Sequence, residues 1–465
     1  MKRLISCVLA LLYVMAGFAS GTWILHGKEY RVDTLYHAYI GPGTTQTSIK
    51  LAGPVNLRVF YTTTDLKNEN VDVRAIKHKD TLTGLGTVSN AAESHSTSNR
   101  SYFAGINADF FSSSMPCGIT VVDGEVYCSD QASGWSLFGI DANKIPYSGG
   151  GDFYVKLTAP DYSTAELSAM NLERGTNGLV LYSSRKGANT GTDSNGSEVV
   201  LIPDGEGNFL TPGATVRMRV QGNPSHAGSM PIPDDGYILS GSGTKESFVS
   251  NLSEGDVVEV RCAIRFNGFT GGKIQQALGG CPMLVSGGKV LDTENALDHL
   301  TSAQPRTAVG YNAEKNKLVM LVADGRSSIS VGPISKVLAD IMIYAGCSEA
   351  MNFDGGGSST FYVKGEGVIN QPSDGSERSV TDGLYLSTDA PQNDVTITTI
   401  RFMDYAKTLN QGDAYTPVIY GYNQYGVLVD RNVEGVTLSC GSSLGTITND
   451  GTTLNASGSG THMLL

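Results

Sequence analysis

The sequence predicts an α+β protein: a strand-rich mixed-sheet domain with few helices, followed by a small β-sandwich. Three observations carry that expectation. Glycine is frequent, at 57 of 465 residues, while charged residues make up only 17%. That is a composition of short strands joined by many turns. Apolar residues recur at period two, as in 55–61 and 71–76, the mark of strands with one solvated face. One stretch alone, 333–346, has clear helical spacing. There Ile334, Val337, Leu338, Ile341, Met342 and Ala345 share a face, with Pro333 at the start and Gly346 at the end.

Taken in order, residues 1–20 read as a secretory signal peptide. Lys2 and Arg3 precede an apolar run, and Gly17, Ala19 and Ser20 supply small residues for cleavage. The run is too short for a lasting membrane span, and no later run reaches that length. The expectation is an exported protein: periplasmic, cell-surface or secreted. Net charge is −12 with no basic stripe, which argues against nucleic-acid binding. Six cysteines remain after Cys7 leaves with the signal. Of these, Cys117 and Cys128 flank a hairpin and make the favoured disulfide pair. No Cys/His spacing implies zinc, and no metal or cofactor is expected. The spacing of Asp193, Asn195 and Glu198 departs from a twelve-residue calcium loop.

Residues 21–99 form a strand-rich segment, with a loop or short helix start at 90–99. A buried strand then ends at Asn107, with Asp109 just beyond. Asp123-Gly124 turns a hairpin over 118–127. Residues 141–225 read as a variable insertion. At 275–285 a strand enters a glycine corner, and Gly287-Gly288 turns the next hairpin. Strands at 306–311 and 317–326 follow, with Arg306 opening one and Asp324 and Arg326 closing the other. Placed as antiparallel neighbours, they put Arg306 and Asp324 at one sheet end. Residues 383–387 close the domain. After a polar linker, 394–465 alternates in short runs at 396–402, 416–422 and 436–439, as a small β-sandwich does. The chain stops at 461–465 inside a run that reads as a strand.

The rest is organised around 349–363. An apolar run ends at Asn352-Phe353-Asp354. Gly355, Gly356 and Gly357 follow, then Ser358, Ser359 and a β-branched and aromatic run. This reads as strand, tight turn, strand. Bare glycines let a ligand approach the backbone, beside the Asp354 carboxylate and the serine hydroxyls. Taken alone, the stretch fits a capped hairpin equally well. Its company decides the matter. Asn107/Asp109, Arg306, Asp324/Arg326 and Asn352/Asp354 each stand at a strand end, and Arg378 follows a fifth strand. Strand ends share one rim of a sheet, so these groups predict a common cleft.

In order, Asn107-Ala108-Asp109-Phe110-Phe111, Arg306-Thr307-Ala308-Val309-Gly310, Asp324-Gly325-Arg326 and Asn352-Phe353-Asp354-Gly355-Gly356-Gly357-Ser358-Ser359-Thr360 resemble the blocks of the phosphodiester glycosidase family. The resemblance covers about 100–388, and the tail resembles a bacterial immunoglobulin-like module. It implies hydrolysis of the bond between a sugar anomeric carbon and a phosphodiester oxygen. Asp354 is then the expected catalytic carboxylate, with Asp324 and Asp109 behind it. Arg306 and Arg378 are the expected phosphate partners, with Arg326 in reserve. Asn107, Asn352 and Ser358 would hold sugar hydroxyls, and the Gly355, Gly356 and Gly357 amides a phosphate oxygen. The expected partner is a glycan or sugar phosphodiester of N-acetylglucosamine-like type, on an envelope or dietary glycan. A secreted glycan-binding protein without turnover is the alternative. No Lys follows the glycines as in a P-loop, and no Gly-x-Ser-x-Gly elbow occurs. His95, His226 and His299 fall in polar loops and are read as solvated.

Overall fold

The computed structural model describes residues 21–457 except 132–133, 206–208, 268, 271, 293–300 and 404–408. The expected signal peptide, His299 and the run at 461–465 lie outside the described residues. The fold is strand-rich α+β, and nearly every ladder is antiparallel. Among the described residues, no helix is long and apolar enough to cross a membrane.

Three sheets build the main body. A nine-stranded sheet starts as a meander of Gly21–Leu25, Lys28–Gly41, Thr44–Ala52 and Asn56–Asp65. It continues through Lys317–Ala323, Arg306–Tyr311, Glu349–Asn352, Met283–Ser286 and Lys289–Val290. A five-stranded sheet runs Gly367–Val368, Phe361–Val363, Ser101–Asn107, Asp382–Thr388, Asp72–Lys77. A thirteen-stranded sheet takes in the 120–128 hairpin, Ser136–Asp141 and the strands from Pro146–Thr158 to Ile274–Gly280. The segment before residue 100 is woven into two of these. Asn56–Asp65 pairs with Lys317–Ala323, and Asp72–Lys77 pairs with Asp382–Thr388.

The central core lies where the three sheets face one another. Phe60, Val309, Met320 and Met351 come from the nine-stranded sheet, Ile106, Phe361 and Leu384 from the five-stranded one, and Phe138 and Leu278 from the third. Each such side chain, buried in full, contributes about 1.5–3 kcal/mol. Alternation along the nine-stranded sheet sends Ala308, Val319 and Leu321 to its other face. There they pack on Val337, Leu338, Ile341 and Met342 of the helix Ser335–Tyr344. This is the helical face expected from the sequence.

Several local expectations need correction. The helix expected only as a start at 90–99 spans Val88–His95, capped by the Thr87 hydroxyl. The glycine-rich stretch 352–361 is not a hairpin. Glu349–Asn352 belongs to the nine-stranded sheet and Phe361–Val363 to the five-stranded one. The corner at 279–283 likewise crosses from the thirteen-stranded to the nine-stranded sheet. Cys117 and Cys128 are free thiols, as are the other four described cysteines. Cys128 points into the core, whereas Cys117 sits on the loop beside Asp109. Residues 399–456 carry two three-stranded antiparallel sheets, but 436–439 forms no strand. This part docks on the main body through Tyr420 and Tyr422 against Ala38, and through an Arg431–Glu366 ion pair.

Candidate active site

The two inter-sheet crossings meet. The Cys281 N–H donates to the Asn352 carbonyl at 2.9 Å, and Asn352 Nδ2 donates back to the Cys281 carbonyl at 2.8 Å. Asn107, which ends the Ser101–Asn107 strand of the five-stranded sheet, joins them. Its Nδ2 donates to the Asp354 carbonyl at 2.7 Å. Its Oδ1 accepts from the Thr307 hydroxyl at 2.8 Å and the Thr360 N–H at 3.1 Å. Asn107 is fully buried. All its hydrogen-bonding capacity inward goes to holding the glycine corner against the Ser101–Asn107 and Arg306–Tyr311 strands.

On this frame Gly356 and Gly357 each face one arginine, and Gly355 faces the Pro305 carbonyl. A side chain at 355 would strike the Pro305 carbonyl at 2.7 Å and lie 3.8 Å from the Arg306 Cδ. At 356, where φ is +64°, it would meet Arg326 Nη2 at 3.0 Å. At 357 it would overlap the Arg378 guanidinium and the Asp374 carboxylate. Two guanidiniums therefore stand against Gly356 and Gly357, and the Pro305 carbonyl against Gly355, and only residues without a Cβ leave room for them. The corner closes as a 3-10 turn at Gly356–Ser358.

The arginines are not equivalent. Arg378 is exposed, pairs with Asp374 at 2.6 Å, and points Nη1 at the Ser358 hydroxyl, 3.3 Å away. Arg326 is exposed, held by Gln304 Oε1 at 2.6 Å, and sits at φ +58°. Arg306 is only 3% exposed. Its side chain leaves the sheet on the helix face, opposite Thr307. Its guanidinium donates to the carbonyls of Pro333 at 3.3 Å and Ser302 at 2.7 Å. Burial pulls its pKa down to about 10, with Arg326 adding repulsion.

The acids separate by depth. Asp354 is partly exposed, whereas Asp109 and Asp324 are buried. Burial raises the Asp354 carboxyl to about 6, against the Ser358 hydroxyl and the Arg378 charge, which lower it. Asp109 accepts the Gly118 N–H at 2.8 Å through Oδ2, while its buried Oδ1 has no partner. Gly118 and Gly279 lie flat against that carboxyl, since a side chain at either would fall within 2.9 Å of it. Burial, then the charge of Asp382, pushes Asp109 well above the ordinary carboxylate range. Asp324 accepts from the Gln371 N–H at 2.8 Å and from Asn370 Nδ2 at 3.3 Å. Asn370 in turn binds the Ser359 carbonyl and the Phe361 N–H. Asp324 thus reaches the corner through the 370–371 loop, and burial raises it too.

Of the residues expected from the sequence, Asn107, Asp109, Asn352, Asp354, Gly355, Gly356, Gly357 and Ser358 form one contiguous group, with Arg326 and Arg378 over it. Asn352 faces the neighbouring crossing, and its Oδ1 is buried without a partner. Arg306 supports the corner from the far face of the sheet. Two contributors escaped the sequence reading, Asp374 and Asp382, and Gly279 figures in it only as part of the glycine corner at 275–285. Only the Thr381-Asp382-Gly383 step at a strand start hinted at one of them. A hollow of about 600 Å³ opens beside Trp135. The Trp135 ring meets Phe110, the neighbour of Asp109, edge-on at 5.0 Å between centroids. Asp354 does not line that hollow.

A partly exposed carboxylate, a bare-backbone corner and two exposed arginines gather at one place in a mostly-β fold. Residues 211–387 match the family described as phosphodiester glycosidase. That stretch holds every site residue expected from the sequence except Asn107 and Asp109, which precede it. A SPbeta prophage-derived uncharacterized protein of Bacillus subtilis, YomE, is 40% identical over 88 residues, 19% of this chain. The match spans only 13% of that relative's length. A Burkholderia pseudomallei protein of known structure shares the fold at a TM-score of 0.58 and 18% identity, over 81% of this chain and 100% of that one. A hypothetical protein from Synechocystis does so at 0.57 and 16% identity, over 74% of this chain and 62% of that one.

Proposed function

We propose that this protein is a glycosidase that hydrolyses the sugar–phosphate bond of a sugar-1-phosphodiester. The observation that carries this is the setting of Asp354. It is the reachable acid of the site, held between the Ser358 hydroxyl and the Arg378 guanidinium on a glycine corner. A sugar-1-phosphodiester carries one negative charge, which Arg378 and Arg326 match. As the bond from the anomeric carbon to the phosphate oxygen breaks, positive charge grows on the sugar. The Asp354 carboxylate stabilises it. Water adds to the anomeric carbon, its proton is released, and the phosphate monoester leaves against the arginines.

The depth of the acids suits a division of labour, because their environments push them apart. Asp354, at about 6, is ionised at neutral pH. Asp109, behind it, is pushed further up by burial and the charge of Asp382. Asp324 and Arg306 hold the corner and its loop. Gly355, Gly356, Gly357 and Ser358 line the phosphate side, and Asn107 and Asn352 fix the frame. Export rests on the basic start and apolar run of residues 1–20, and peptide mapping of the mature N-terminus tests it. The activity test is release of free sugar from an N-acetylglucosamine-1-phosphodiester by the wild type and Asp354→Asn. Turnover that vanishes in the variant supports the assignment. Binding without turnover by the wild type would instead make this a glycan-binding protein.

A further inference from the structure

Asp382 takes no part in the reaction as described, yet it is fully buried directly behind Asp109. It opens the strand Asp382–Thr388, and the next residue, Gly383, pairs with Asn107. Asp382 grips the Ala108-Asp109 step twice. Its carbonyl accepts the Ala108 N–H at 3.3 Å, and its Oδ1 accepts the Asp109 N–H at 2.9 Å. Its Oδ2 takes the Thr381 hydroxyl at 2.9 Å. On the neighbouring strand Lys77 stands opposite it in register and is 1% exposed. Its Nζ donates to the carbonyls of Gly84 and Thr381 at 3.2 and 3.1 Å.

The groups that face this pair include the Tyr385 phenol, on the Asp382 strand, and the His78 ring, next to Lys77. Asp382 and Lys77 come from the five-stranded sheet and Asp354 from the glycine corner. The Cys117 and Cys128 thiols and Asp130 come from the loop and hairpin after Asp109. One buried ammonium cannot balance two buried carboxylates, so one of the two acids keeps a proton. Asp382 accepts two donors beside Lys77, whereas Asp109 accepts one and has a bare oxygen. The donors therefore favour the charge on Asp382 and the proton on Asp109, although burial raises both acids.

We propose that Asp382, backed by Lys77, is a positioning residue that clamps the Asp109 backbone and keeps a proton on the Asp109 carboxyl. The inference rests on the glycosidase reading only for what that proton does in turnover. The test is carboxyl NMR of aspartate-labelled protein titrated from acid to neutral pH. Asp382→Asn retains an oxygen for the Asp109 N–H and removes the charge. It is expected to lower the Asp109 midpoint by at least about one pH unit, tenfold in proton affinity. A midpoint that stays put in folded Asp382→Asn would overturn the proposal. Asp109→Asn provides the reciprocal measurement should the first variant not fold. Because a protonated Asp109 is already neutral where Asp382 ionises, the Asp382 midpoint is then expected to stay where it is, and a fall of about one unit or more, the sign that Asp109 ionises first, overturns the proposal. In the pH profile of sugar release, Asp382→Asn should move the alkaline limb and leave KM within about twofold, a margin of ~0.4 kcal/mol. Shifted midpoints in a protein that never releases sugar would uphold the clamp and sink the glycosidase reading instead.

Discussion

The Arg378 guanidinium occupies the space that a Cβ on residue 357 would need. Gly357 therefore serves an arginine as much as a ligand. Gly357→Ala should displace the Arg378–Asp374 pair and leave the fold intact, since that pair is exposed. KM for a sugar-1-phosphodiester is expected to rise about 10- to 100-fold, the loss of a charge-assisted contact. Arg378→Ala should match it, and the double variant should cost no more than either alone. Steady-state kinetics of the three variants check this.

Asp354 makes activity and stability pull in opposite directions. Its carboxyl titrates at about 6 in the folded protein and at about 4 when unfolded. The folded state therefore binds this proton more tightly. The stabilisation is full below about pH 4 and is lost as pH rises through about 6. Asp354→Asn should abolish turnover and yet gain on the order of 2 kcal/mol over wild type at pH 7. The two proteins should converge in stability near pH 4. Thermal melts across pH measure both limbs. The wild-type kcat/KM should climb tenfold per unit up to about pH 6 and stay level from there until the alkaline limb that loss of the Asp109 proton sets.

Arg306 holds carbonyls rather than facing the exposed rim. Arg306→Ala should therefore cost stability, roughly 2–4 kcal/mol, by leaving the Ser302 and Pro333 carbonyls short of a buried donor. The sequence reading expected weaker substrate binding as the main effect. Denaturant unfolding alongside KM separates the two outcomes: a large midpoint shift with modest change in KM supports the buried role.

Asn107 ties the five-stranded sheet to the nine-stranded sheet and to the glycine corner through one side chain. Asn107→Ala removes three hydrogen bonds, so a loss of about 3 kcal/mol is expected. Thr307→Val, which removes one of them, should cost about 1 kcal/mol. Urea denaturation of both variants tests the ratio.

Which parts were legible follows from how far each signal reaches. The helix at 335–344, the Asp123-Gly124 hairpin and the Arg306–Tyr311/Lys317–Ala323 pair depend on neighbours in sequence, and all were readable. The glycine stretch was readable as a bend but not as a crossing, because nothing local says which ladder receives Phe361–Val363. Alternation implied that Arg306 and Thr307 face opposite ways. Only the helix packed against Ala308 tells which face is which. Asp382 gave almost no signal, being one acid at the start of an ordinary strand. Its meaning comes from Lys77, 305 positions earlier.

The weaving of early strands into two sheets has a practical consequence. The family-matched span of 211–387 contains Asp354, but it lacks the partner ladders for Lys317–Ala323 and Asp382–Thr388. Excised at those limits, the polypeptide would present two raw strand edges and an unlined interior to solvent. A soluble, active fragment must begin upstream of Asn56, so truncation design here is governed by ladder partners and not by where sequence similarity starts.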